Sequence, residues 1–204
     1  ERMKGNFLDQ ILDRKLPASE IIKRGRYTGV DLTKPYYISV VDNKNFAATI
    51  EEEFLLQEQI LETTFRYFNM KKHNLLIGQR DGKMILFISE ESLNLSEIND
   101  VISEYQQFIA DKYPQGEFNL GISSLGEGVD DAATYYEEAL IALRLTFNKS
   151  VVPFQSLGII GILINSNNLN GIKMVAKQEL GSLYNVNEQK MLELLKTLYI
   201  FLLN

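Results

Sequence analysis

Three residues are candidates for contacting a metal ion or a nucleotide: Asp42, Arg80 and Asp81. Asp42 follows an apolar run that ends at Val41, and Asp81 stands in a turn with Gly82. Carboxylates are ligands for Mg²⁺, but a catalytic metal site needs several of them to converge. We expect Asp42 to be a loop or cap residue and Asp81 a turn residue. We therefore predict no catalytic residue, no metal and no cofactor, and keep the three residues as candidate ligand contacts.

The other residues that could take part in binding or catalysis indicate structural roles rather than a site. An anionic ligand near the two acids would need Lys44, Arg80 and Lys83 to offset them. The chain has no Cys and one His, His73, so it offers neither a disulfide framework nor a complete transition-metal site. We expect His73 to lie in a solvated connector. The spacing of Gly126-Glu127-Gly128 fits neither the G-x-G-x-x-G pattern of dinucleotide-binding loops nor the P-loop pattern. We therefore predict a flexible connector there.

Length and composition indicate a globular protein. The chain has 204 residues, of which 45% are hydrophobic, and a net charge of −6. A negative net charge disfavours binding to the phosphate backbone of DNA, so we expect this chain not to bind DNA itself. Its longest apolar stretch is far shorter than a bilayer span, and the composition fits a cytoplasmic protein. A chain that opens at Glu1 is expected to be part of a longer protein.

The first part of the chain predicts two short helices and a strand. The second helix lies around Glu20 to Arg26, and Gly29 provides its exit. Tyr36 to Val41 are nearly all apolar, as a strand covered on both faces would be. The first helix is predicted by an apolar stripe at helical spacing: Met3, Phe7, Leu8 and Ile11.

The middle of the chain predicts a hairpin between two long helices. Asp81-Gly82 separates two apolar runs and is a strong hairpin signal, because both positions tolerate positive φ. Asn94 and Glu97 form a capping pair at the start of the second helix. The first helix is predicted by an apolar stripe: Ile50, Phe54, Leu61, Phe65 and Phe68.

The order of the elements predicts an α+β fold. Phe118 to Ile122 alternate as a half-exposed strand, a helix follows from Asp131 to Phe147, and Val151-Val152 is extended. The order is a βαββαβ sheet with covering helices and an αβ extension, flanked by N-terminal and C-terminal helices. The last of these begins near Asn187. We predict a helical lead-in over 1–30, an α/β domain over 31–155 and a C-terminal helical segment over 156–204.

Several segments carry a family resemblance. The strand Leu120-Gly121-Ile122-Ser123-Ser124, the helix Tyr135 to Leu145 and the exit Val151-Val152-Pro153-Phe154 resemble the GGDEF-like domain of PucR/CdaR-type bacterial transcriptional regulators. The opening Asn6 to Leu12 and the tail Glu188 to Asn204 resemble the flanking segments of the same family. The resemblance implies a degenerate GGDEF, nucleotide-cyclase-like fold and a DNA-binding helix-turn-helix beyond Asn204.

The resemblance does not extend to cyclase chemistry. An active cyclase carries paired glycines and an acidic pair in its hairpin, whereas this hairpin reads Gly78-Gln79-Arg80-Asp81-Gly82-Lys83. Asp42 resembles the first metal-binding acid of cyclases, but Lys44 stands where a second acid often lies. A cation there would repel Mg²⁺. The resemblance therefore implies a protein that is not an enzyme.

Three functions remain open at this stage. The first is a signal-relay domain that forms a homodimer and reaches DNA only through the helix-turn-helix. Its apolar terminal helices are predicted either to pair between subunits or to pack on their own sheet. The second is a sensor of a nucleotide or catabolite that uses the degenerate cleft as its binding site. The third is a residual cyclase. The middle domain of a YesN-type response regulator, which carries a similar helix, is the alternative to the PucR/CdaR-type assignment.

Overall fold

A computed structural model describes residues 2–45, 49–91, 94–146, 149–158, 161 and 177–178. The chain divides into two compact units, Glu1–Leu157 and Gly158–Asn204, and the elements that follow belong to the first. The helix predicted near Asn187 lies outside the described residues, as does most of the predicted segment 156–204. The boundaries predicted after residues 30 and 155 stay predictions.

The predicted α+β fold is confirmed. Five strands form one sheet in the order β2-β3-β1-β4-β5, in which only β4 and β5 run parallel. The elements are α1 (Arg2–Leu12), α2 (Ala18–Thr28), β1 (Tyr36–Asn45), α3 (Ile50–Met70), β2 (Leu75–Arg80), β3 (Lys83–Ser89), α4 (Leu95–Lys112), β4 (Gly116–Ile122), α5 (Ala132–Arg144) and β5 (Val151–Pro153). None of the described helices is long and apolar enough to cross a membrane.

The sheet is covered on both faces, which explains the nearly continuous apolar runs in its strands. Side chains of α1, α2 and α5 pack on one face, where β1 contributes Tyr36, Ile38 and Val40. Side chains of α3 and α4 pack on the other face, where β1 contributes Tyr37 and Val41. Successive residues of a strand point to opposite faces, so one strand serves both cores.

The first helix packs on its own chain. Phe7, Leu8, Ile11 and Leu12 are all buried in the core shared with α5 and the sheet. Of the two alternatives for this stripe, the structure shows packing on the same subunit's sheet. These four side chains of α1 are therefore not available to a second subunit. The exit predicted at Gly29 is confirmed, because Gly29 caps α2 with φ 80°.

Two local predictions in the middle of the chain are confirmed. Asp81 and Gly82 join β2 to β3 with φ values of 51° and 73°, the two positive values that a tight hairpin turn requires. Asn94 and Glu97 form a capping box on α4: each side chain accepts a hydrogen bond from the other residue's backbone N–H.

The predicted burial of α3 is confirmed at Phe68, and Leu61 and Phe65 pack half-buried against the same core, but it is wrong at Phe54. Phe54 was expected in the core but is 59% exposed, and Leu55 beside it is 57% exposed. Every residue from Glu51 to Leu55 is exposed, so the first turns of this 21-residue helix gain no cover from the sheet. The side chain of Ile50 is not among those described. The buried stripe lies further along the helix: Ile60, Thr63, Thr64, Tyr67 and Phe68.

Candidate functional site

Asp42 lies inside a strand, which corrects its prediction as a loop or cap residue. Strand β1 continues to Asn45 because β4 pairs with it, with Asn119 opposite Asp42. The last pair between β1 and β3 is Val41 with Met84, one residue earlier. Polar residues at the end of β1 thus obtain their backbone hydrogen bonds from β4 alone.

Lys83 provides the charge nearest to Asp42. It begins β3 just before the last β1–β3 pair, and its Nζ lies 3.8 Å from Asp42 Oδ1. Both side chains are about one-third exposed. A Mg²⁺ ion approaching Asp42 would meet this ammonium group, and the Coulomb repulsion would oppose its binding. Lys44, the cation singled out by the resemblance, is exposed and lies opposite Glu117 of β4.

Arg80 is held by the turn between α1 and α2. Its Nη1 lies 2.7 Å from Asp13 Oδ1, and Lys15 Nζ lies 2.7 Å from the other Asp13 oxygen. The Arg80 guanidinium also lies over the Tyr136 ring of α5, 5.8 Å from its centroid. Hydrogen bonds from Lys15 and Arg80 hold the pKa of Asp13 below its ordinary value. The hairpin is thereby tied to both α5 and the N-terminal helices.

Asp81 does not join Asp42. Its side chain is 87% exposed at the hairpin turn, with Arg80 Nε 3.9 Å from its Oδ2. Within the described residues, no ion pair or hydrogen bond connects Asp42 to Asp81, and no three acids or histidines cluster so as to hold a metal ion. The charged residues at the hairpin thus form ion pairs with one another. A phosphate ligand would have to compete with Asp13 for Arg80 and with Asp42 for Lys83.

His73 is not the solvated connector that we predicted. Its side chain is 16% exposed, and its Nδ1 lies 2.6 Å from Glu90 Oε1. The ring packs edge-on against Phe68, with 5.8 Å between centroids. The end of α3 shields His73 from solvent, because Phe68 of that helix packs against its ring. The charged residues Lys71 and Lys72 that precede His73 in the sequence gave no sign of this contact.

The segment predicted as a flexible connector is bonded to β1. Gly126 exchanges two backbone hydrogen bonds of 2.8 Å with Tyr36, and the Tyr36 hydroxyl donates to the Gly128 carbonyl at 2.8 Å. A Cβ at Gly126 would lie 2.5 Å from the Tyr36 ring. Glycine is required there by a close approach to an aromatic ring rather than by a phosphate.

The residues that carry the resemblance form the contact between β4 and α5. A Cβ at Gly121 would lie 2.1 Å from the Ala139 carbonyl oxygen and 2.4 Å from the Leu143 nitrogen. Glycine therefore lets the helix backbone approach the strand. Glu138 of α5 accepts a 2.8 Å hydrogen bond from the Ser124 backbone N–H. We name this contact, formed by Gly121, Ser124, Glu138, Ala139 and Leu143, the β4–α5 seam.

Sequence reasoning missed a groove beside β5. A groove of about 750 Å³ lies between α4 and β5, at the opposite edge of the sheet from the β2–β3 hairpin. The available signal was a row of small polar residues at helical spacing in α4, Ser96, Asn99 and Ser103. It also missed Asp13 and Tyr136, which are distant in sequence from Arg80.

The family model of the GGDEF-like domain matches residues 13–145, which run from the Asp13 turn to the end of α5. No curated protein matches the chain. The matched region contains the hairpin, the β4–α5 seam and four of the five strands.

Proposed function

The chain belongs to the family of GGDEF-like domains, and from this premise we propose that it is the non-catalytic signal-relay domain of a PucR/CdaR-type transcriptional regulator. GGDEF-like domains are regulatory and signalling domains. In this proposal the chain acts as a homodimer, and a helix-turn-helix beyond Asn204 contacts the DNA. The resemblance of the flanking segments, in addition to the domain itself, supports the PucR/CdaR assignment over a YesN-type response regulator.

The observation that carries the relay proposal is the way α1 is joined to the sheet. Four apolar side chains of α1 lie in one core with Tyr136, Ala139 and Leu143 of α5. The Asp13–Arg80 ion pair fixes the turn after α1 to the hairpin. Because α5 leads directly into β5, a displacement of α1 would be passed through packed side chains to the end of the first unit.

The charges at the hairpin support the non-catalytic part of the proposal. Lys83 lies in ion-pair range of Asp42, and Arg80 is bonded to Asp13. A cyclase needs cation-binding carboxylates at this place, and each acid here has a basic neighbour instead. The ionisable groups at the hairpin therefore pair with one another, which supports a domain that has the fold without the catalysis.

A matched pair of core substitutions tests the relay. Ile11→Val in α1 and Ile102→Val in α4 remove the same methyl group from buried positions on opposite faces of the sheet. Each should destabilise the fold by about 1 kcal/mol. We expect Ile11→Val to accelerate amide hydrogen exchange in α5, and Ile102→Val to accelerate it in α4. Equal acceleration of α5 by both variants would remove the support for coupling through α1.

The DNA-binding part has a separate test. The reading frame beyond the codon for Asn204 should encode a helix-turn-helix, and a protein that includes it should bind operator DNA, whereas the present chain with its net charge of −6 should not. A reading frame that ends without such a segment would refute the assignment to a transcriptional regulator while leaving the relay intact.

The groove between α4 and β5 favours sensing of a small molecule as a second candidate function. Its lining combines the apolar Leu145 and Val152 with the hydroxyl of Ser103 and one cation, Lys149. A ligand present at a hundred times its Kd would stabilise the fold by about 2.7 kcal/mol, which thermal unfolding detects. A flat response to a panel of nucleotides and sugar acids would leave relay as the sole function.

A further inference from the structure

Two exposed helical stripes of opposite charge remain uncovered in the first unit. On α3, Glu51, Phe54, Leu55 and Glu58 recur at spacings of three and four residues, so they share one face of the helix. All four are exposed, with Phe54 at 59% and Leu55 at 57%. We call these four residues the acidic stripe. It places two large apolar side chains between two carboxylates.

The counterpart lies on α2. Lys23, Arg26 and Tyr27 are also exposed and share a helix face, and Tyr27 at 81% is the most exposed of the large hydrophobic residues described. We call these three residues the basic stripe. The neighbouring Arg24 is excluded from it, because its guanidinium is bonded to Glu20 and Gln10.

The charged groups of both stripes form no ion pair within the described part of the chain, although Arg26 has a longer-range Coulomb interaction with Asp31. Lys23, Arg26, Glu51 and Glu58 take part in none of the ion pairs there, whereas Arg24 of α2, Arg66 of α3 and Lys71 at the end of α3 each have a carboxylate partner. The two stripes are exposed in the same molecule, so they do not cover each other. Both stripes are therefore free, within the described part of the chain, to contact a complementary surface of a partner.

We propose that this partner is a second copy of the chain, with the acidic stripe of each subunit packed on the basic stripe of the other. Charge complementarity selects this occupant, because Glu51 and Glu58 would face Lys23 and Arg26. The centre of each contact would bury Phe54 and Leu55 against Tyr27, and aromatic residues and Arg are the types enriched in interface cores.

The reciprocal form of the contact determines the assembly. In the proposed dimer each subunit gives and receives one stripe of each kind, and a two-fold axis that relates the two contacts closes the assembly. This pairing rests on the homodimer proposed above and names its surfaces. The stripe of α1, the other predicted dimer surface within the described residues, is already covered by its own sheet.

Charge-swap variants of the 204-residue chain test the pairing. One variant carries Glu51→Lys and Glu58→Lys, and the other carries Lys23→Glu and Arg26→Glu. Sedimentation velocity over a range of concentrations gives the dimer Kd of each. Like charges then face each other across both contacts, so we expect each variant alone to raise the Kd at least about tenfold. The first variant is the sharper test, because it moves the net charge of −6 towards zero, which by itself would favour association.

An equimolar mixture of the two variants provides the rescue. In a mixed dimer the all-acidic subunit meets the all-basic subunit at both contacts, so the mixture should dimerise at least as tightly as the wild type. Asp100→Lys with Lys112→Glu, at exposed positions of α4, is the matched control and should leave the Kd unchanged. Unfolding temperatures close to the wild type establish that each variant is folded.

The outcomes separate this inference from the proposed function. A wild-type dimer that both swaps leave intact, or a mixture without rescue, overturns the pairing of the stripes but keeps the homodimer. A wild-type chain that stays monomeric up to its solubility limit overturns both the pairing and the dimer. The hydrogen-exchange result for the relay is independent of either.

Discussion

The β4–α5 seam and the hairpin end lie on the same face of the sheet, yet they are built differently. At the seam, the backbone of β4 lies against the backbone of α5, because a Cβ added at Gly121 would lie only 2.1 Å from the Ala139 carbonyl oxygen. At the hairpin end, the contacts are partly exposed ion pairs, Arg80 with Asp13 and Lys83 with Asp42. The seam carries the residues that resemble the family, and the hairpin end is where a cyclase would carry its chemistry.

This difference shows what the chain retains from its family. Close packing of backbone allows almost no substitution, because a displaced helix disturbs the whole core. Exposed ion pairs contribute about 0 to 1 kcal/mol each and tolerate change. A GGDEF-like domain without catalytic residues at its hairpin could therefore keep the fold, as long as the seam is preserved.

The largest effect is expected at the seam. Gly121→Ala places a methyl group on the backbone of α5, which must move away, so we expect a loss of about 3 kcal/mol or more in the free energy of unfolding. Gly128→Ala is the matched control, because nothing lies within 4 Å of its Cβ position and its φ of −121° suits any residue. Urea denaturation of both variants measures the difference. Equal losses would show that the seam is not the tight contact described.

A moderate effect is expected at Tyr36, which ties β1 to the segment between β4 and α5. Tyr36→Phe removes the hydroxyl that donates to the Gly128 carbonyl and keeps the ring stacked on Phe87, so we expect a loss of about 1 kcal/mol. Measured on the monomer, Tyr27→Phe, at a position that is 81% exposed in the single chain, should leave the stability unchanged. A Tyr36→Phe variant as stable as the wild type would mean that this hydrogen bond contributes nothing.

The smallest effect is expected at the hairpin end, and it depends on pH. The pKa of Asp13 is lowered below its ordinary 3.8 in the folded chain, so its ion pairs stabilise the fold above that value. This contribution is lost as the pH falls through the lowered pKa. The difference in unfolding free energy between the wild type and Asp13→Asn should therefore be constant at neutral pH, shrink in strong acid and diminish with added salt. A difference that is the same at every pH would contradict the assignment.

Local patterns in the sequence predicted most of the fold. The Asp81-Gly82 turn, the Asn94–Glu97 capping box and the exit at Gly29 depend on neighbouring residues, and all three are confirmed. Asp42 was misassigned because Asp and Asn disfavour strands locally, whereas pairing with β4 decides its conformation. Phe54 was misassigned because α3 has apolar residues on more than one face, and only the extent of the sheet selects the buried one.

The candidate site could be predicted only in part for the same reason. Arg80, Asp42 and Asp81 were identified by type, but the partners of Arg80 and Asp42 come from other elements. Asp13 reaches Arg80 because α1 packs on β2, and Tyr136 reaches it because α5 crosses the same face. Such contacts depend on tertiary packing, which a single sequence does not display.

A GTP turnover assay decides whether the hairpin end has kept any chemistry. The chain is incubated with GTP and either Mg²⁺ or Mn²⁺, and pyrophosphate and cyclic dinucleotide are measured beside an Asp42→Asn variant that removes the acid facing Lys83. We expect both proteins to release no more pyrophosphate than buffer alone. Steady release by the wild type that disappears in Asp42→Asn would contradict the proposal and identify the chain as a working cyclase.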